Sequence, residues 1–132
     1  MLNTFPAFLT YGFFAPALLR VAVAACFAYL AYYHLAHRQQ IAHTHFPIIG
    51  AQSLVPLVGA FIEALLALSL LFGYHTQIAA IAGIILAAKY WYWSGSYPSY
   101  FVYARATCFL LLVICLSLVL SGAGGLAVDL PL

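Results

Sequence analysis

Charge is what this sequence has least of. Four Lys/Arg and two Asp/Glu in 132 residues make 5% charged side chains, against about 25% in ordinary soluble domains. Four scattered basic residues cannot neutralise a run of phosphates, so nucleic-acid binding is excluded. Cysteine is scarce as well. Cys26, Cys108 and Cys115 lie in apolar runs without a C-x-x-C pair, which excludes a disulfide framework and gives no support to thiol–disulfide exchange. Nothing in the chain resembles a nucleophilic triad, a phosphate-cradling loop or a zinc-hydrolase signature. Any chemistry is therefore electron, proton or lipid chemistry.

What the chain has in abundance is apolar surface: 67% of its residues are hydrophobic, and its mean hydropathy is +1.10. A spanning helix needs about 20 mainly apolar residues. Four runs approach that length, over about 14–36, 54–72, 77–93 and 103–121. They predict an all-α integral membrane bundle of four transmembrane helices, up-down-up-down, as a single domain over 1–132. Pro16 and Pro56 sit near helix starts, where a missing N–H costs nothing. Gly73–Thr76 form a tight turn, and Gly122, Gly124 and Gly125 break the fourth run. Residues 3–12 are too short to span and are read as interfacial. Val23-Ala-Ala-Cys26 looks like a lipoprotein cleavage box, but no basic head precedes it at the right distance. Arg38, Lys89 and Arg105 fall at one face of the bundle, and the positive-inside bias puts that face in the cytoplasm.

Glu63 is the sharpest signal. It stands in the middle of the second run with apolar or small residues on both sides, and an intramembrane carboxylate is a functional candidate by default. Arg20, inside the first run, is read as its cationic partner, with snorkelling to the near face as the bland alternative. Glu63 and Arg20 are thus the candidate catalytic pair. Asp129 and Arg105 are read as structural polar residues, Asp129 as a second counter-charge for Arg20 or a solvated tail carboxylate.

Histidine and aromatics supply the remaining candidates. His34 and His37 share a helical face, and His43 and His45 follow, but no carboxylate or cysteine joins them, so neither a metal nor a haem site is predicted. His75 belongs to the opposite end of the bundle. Tyr29, Tyr32 and Tyr33, the run Tyr90-Trp91-Tyr92-Trp93, and Tyr97, Tyr100, Phe101 and Tyr103 gather at one face. An interfacial aromatic belt is the plain explanation. The density beside Lys89 also suits a flat carbonyl-bearing ring, which makes Lys89, Trp91, Trp93 and Tyr33 the candidate cofactor-binding residues and lipoquinone the candidate cofactor.

The chain resembles the DoxX family of small four-helix bacterial membrane proteins. The resemblance rests on Leu18-Leu19-Arg20, on Gly59-Ala-Phe-Ile-Glu63 leading to Leu71-Phe-Gly73, and on the exit Ser121-Gly-Ala-Gly-Gly-Leu-Ala-Val-Asp129-Leu-Pro-Leu132. It implies a multi-pass protein of the bacterial inner membrane, with the lipid bilayer and a protein partner or second copy around it. It also implies a quinone-linked subunit of a membrane oxidoreductase or oxidative-stress complex, with Arg20, Glu63 and Asp129 at the family's recurrent polar positions. Two other readings stand beside it. In one, the buried charges only lock a non-catalytic scaffold. In the other, they serve a small-solute transporter.

Overall fold

A computed structural model describes residues 12–42, 54–96 and 102–121. A single 3-10 turn, Gly12–Phe14, leads into α1, Ala15–Ala36. The short α2 covers Arg38–Ala42, and three longer helices follow: α3, Leu54–Phe72; α4, Thr76–Trp93; and α5, Arg105–Ser121.

The helices obey the local signals in the sequence. Pro16 lies in the first turn of α1. At the other end, His37 takes φ −103° and ψ 17°, and its N–H donates to Tyr33 O at 2.9 Å. That closes α1 before α2 begins. Gly73 terminates α3 in a Schellman arrangement. Its own N–H reaches Leu70 O at 3.3 Å, that of Tyr74 reaches Ser69 O at 3.1 Å, and Gly73 adopts φ 68°. Glycine enters this left-handed region without the Cβ penalty other residues pay.

Packing follows a three–four spacing. On α1 the buried positions are Ala17, Arg20, Val23, Ala24, Phe27, Leu30, Ala31 and His34. On α5 they are Cys108, Leu111, Cys115 and Leu118, and α4 repeats the pattern through Thr76, Ala79, Ala80, Gly83, Ala87 and Tyr90. This spacing keeps one stripe of each helix turned toward its neighbours. The main pairings are α1 with α3 and α4 with α5, with lesser contacts of α5 on α1 and of α4 on α3. A groove of about 500 Å³ between α1 and α3 is lined from Val21 to Leu35 and from Ala64 to Leu71. With His34 against Glu63, that lining fits only an antiparallel pair.

The architecture corrects the four-span expectation. All-α holds, but five helices are present among the described residues, and only α1 has both the length and the apolar composition of a membrane span. The apolar part of α3, Pro56–Phe72, and the whole of α5 are shorter. At 1.5 Å per residue, 17 residues of α5 reach about 26 Å, below the roughly 30 Å of a bilayer's hydrocarbon core. In α4, Gln77, Lys89 and the aromatic end dilute the apolar run. A multi-pass protein of the bacterial inner membrane, with the lipid bilayer as its partner, therefore does not stand. Composition misled because apolar residues serve two purposes. Phe27, Leu30, Leu70 and Leu118 are spent on contacts between helices, while Leu18, Phe61 and Leu120 remain on the outside.

Candidate functional site

Three titratable side chains on three different helices meet in the interior. Glu63 of α3 and His34 of α1 are each 0% exposed, and Tyr90 of α4 is buried beside them. His34 Nδ1 lies 2.7 Å from Glu63 Oε2. The Tyr90 hydroxyl donates to Glu63 Oε1. The His34 and Tyr90 rings stand edge to face, with centroids 6.5 Å apart. Each carboxylate oxygen thus has its own donor, which is the condition for tolerating a carboxylate away from water.

The seam explains why these groups meet. His34 continues the spacing of Ala17, Phe27 and Ala31 along α1, and Tyr90 continues that of Gly83 and Ala87 along α4. Both are held inward by their register. Lys89, next in sequence to Tyr90 but outside the seam, is exposed. Its Nζ lies 5.6 Å from the centroid of the Tyr90 ring. Partial burial pulls the Lys89 ammonium below the usual lysine range, and the negative charge of Glu63 works against that pull.

The predicted partner of Glu63 needs correction. Arg20 is buried, at 2% exposure, but it stands fourteen residues before His34 on α1, about 21 Å along the helix axis. The antiparallel register puts Arg20 level with the end of α3 rather than with its middle. Glu63 takes His34 and Tyr90 instead. Sequence reasoning had His34 only as a metal candidate and Tyr90 only as part of a belt. The signal that could have found them is their place in the three–four seam, where a polar residue must find a buried partner.

The other expectations scatter. Tyr33 is half-buried and stacks on His37 with centroids 4.3 Å apart. Trp91 is exposed and its ring lies 6.4 Å from Phe109 on α5, while Trp93 sets its edge against Tyr92. Arg105 opens α5, and its guanidinium lies where a Cβ on Gly95 would stand, so it covers the backbone at Gly95, just after α4. Asp129, His43 and His45 lie outside the described residues, as do Tyr97, Tyr100, Phe101 and the Gly-rich exit. Among the described residues no group of three or more His, Cys, Asp or Glu could hold a metal ion.

Three protonatable groups lie in one hydrogen-bonded row, and none of them faces solvent. Among the described residues only α1 has the length and apolar composition of a span, so the readings drawn on four spans, the quinone-linked multi-pass subunit, the membrane scaffold and the solute transporter, do not stand. In comparison with known proteins, no family model, no curated protein and no solved structure matches the chain. The resemblance to the DoxX family, which implied four spans, is overturned by the single membrane-length helix among the described residues.

Proposed function

We propose that the protein works as a buried acid–base centre, in which Glu63, held by His34 and Tyr90, takes up and releases a proton inside the helical bundle. The observation that carries this reading is the chemical nature of the partners. A carboxylate that only locked helices together could be satisfied by amides, hydroxyls or backbone N–H groups. Glu63 instead has on one oxygen an imidazole, a group that can both give and take a proton, while the Tyr90 hydroxyl donates to the other oxygen. The reaction class this supports is proton transfer, with Glu63 and His34 as the exchanging pair and Tyr90 as the donor that steadies the carboxylate.

Proton counting tests the reading. Purified protein is titrated with acid in weak buffer beside Glu63→Gln, which keeps the side chain's size and loses its charge. Wild type is expected to bind one proton more than the variant across the range in which the site titrates. Equal proton uptake in two folded proteins would contradict the proposal and leave the cluster as a structural tie.

A further inference from the structure

The groove between α1 and α3 takes no part in the buried cluster. Ala24, Ala25, Ala28, Ala31, Ala64 and Ala67 leave it open by their small size, no charged residue lines it, and the Tyr32 hydroxyl is the only polar group among its lining side chains. From Val21 to Leu35 the lining extends fourteen residues along α1, about 21 Å at 1.5 Å per residue. A volume of about 500 Å³ over that length leaves a section of roughly 24 Å². A helix, about 10–12 Å across with its side chains, is several times too wide for it. A single unbranched hydrocarbon chain is not.

Length and volume give the same chain. A staggered zigzag advances about 1.3 Å per carbon, so about 21 Å holds about 16 carbons. A methylene fills about the space of one water, about 30 Å³, and the volume of about 500 Å³ again holds about 16. Charge marks the end that takes a head group. Helical hydrogen bonds continue past Leu35, with His37 N–H donating to Tyr33 O at 2.9 Å and Ile41 N–H to His37 O at 3.0 Å. Arg38 therefore follows Leu35 by three positions on the side of the helix that Leu35 gives to the groove. It is exposed, and no carboxylate among the described residues meets its charge. At the opposite end Arg20 belongs to the buried stripe of α1 with Val23 and Phe27, and does not line the groove.

The geometry points to this groove as a binding site for a free long-chain carboxylate, an unbranched acid of about 16 carbons whose tail lies between Val21 and Leu35 and whose head is held by Arg38. The tail meets apolar side chains along its length, and each buried methylene strengthens binding about fourfold. The guanidinium offers parallel N–H donors to the two carboxylate oxygens, a match that an alcohol head lacks. Such binding is independent of the acid–base centre.

The test is calorimetric titration of the full chain, stripped of bound lipid, with palmitate below its micelle concentration. One palmitate per chain is expected, with affinity rising about fourfold per methylene in shorter acids and levelling beyond about 16 carbons. Ala28→Phe and Ala25→Phe, both at exposed positions of the groove, displace two or more methylenes and are each expected to weaken palmitate by about 10-fold or more. Arg38→Gln is expected to weaken laurate about 10-fold and to leave 1-dodecanol unchanged. Palmitate affinity unchanged in both groove variants would overturn the site. Laurate and dodecanol responding alike to Arg38→Gln would overturn the carboxylate head and the ligand class with it. A dimer that binds no palmitate would place a second copy of the chain in the groove and overturn the proposal.

Discussion

A buried carboxylate deprived of its counter-group has nowhere to place its charge. Removing one member of a buried pair costs about 3–5 kcal/mol, whereas replacing both by apolar residues costs far less. Glu63→Leu and His34→Leu are each expected to lose stability on that scale, and the double variant to recover a large part of the loss. A double-mutant cycle measured by chemical denaturation checks this, and additive losses would show that the two side chains act separately. A second residue-scale expectation concerns Cys115. Burial, with Cys26 nearby, pushes its thiol from about 9.0 up to about 11. Between those values the unfolded chain has given up the thiol proton and the folded chain has kept it, so stability falls as pH rises from 9 to 11. Unfolding measured across this range is expected to lose stability more steeply in wild type than in Cys115→Ala. Identical slopes would contradict the shift.

At the scale of helices, α4 and α5 approach closely at Gly83. A Cβ there would stand 3.0 Å from Cys115 Sγ and 3.5 Å from the Phe27 ring. Alanine in a helix interior is worth about 1 kcal/mol over glycine, but overpacking a tight contact costs about 1–3 kcal/mol. Gly83→Ala is therefore expected to destabilise wild type by about 1 kcal/mol and to stabilise the Cys115→Ala background, where the sulfur is gone. The same sign in both backgrounds, read by thermal unfolding, would show that Cys115 does not set the spacing.

The helices themselves were legible in the sequence. Pro16 and Gly73 mark a start and an end where the structure has them, and the four apolar runs correspond to α1, α3, α4 and α5 within a few residues. The prominence of Glu63 was legible too, because a lone acid in an apolar run has to be either partnered or used. Its partner was not. Pairing Arg20 with Glu63 assumed that helices meet at their midpoints, whereas register is set by which side chains interlock. That is a property of two surfaces together, invisible in either helix alone.

Over the whole molecule, the cluster of Glu63, His34 and Tyr90 ties α1, α3 and α4 at one level, while the α4–α5 contact closes the bundle from the other side. Apolar content was the least reliable guide at this scale. It reads the same whether a leucine faces another helix, as Leu70 does, or the exterior, as Leu120 does at 82% exposure. Helix length and mutual packing carried the information that composition lacked.

The most direct measurement is equilibrium infrared difference spectroscopy on ¹³C-glutamate protein, acid minus neutral, in wild type, Glu63→Gln and Tyr90→Phe. Glu63 is the only glutamate in the sequence, so an isotope-shifted carboxyl band can come from no other side chain. The expected result is a band that titrates reversibly in wild type, is missing in Glu63→Gln and shifts in frequency in Tyr90→Phe, where the phenol donor is lost. A wild-type spectrum without that band, or a band indifferent to Tyr90, would contradict a proton-exchanging Glu63 held by these partners.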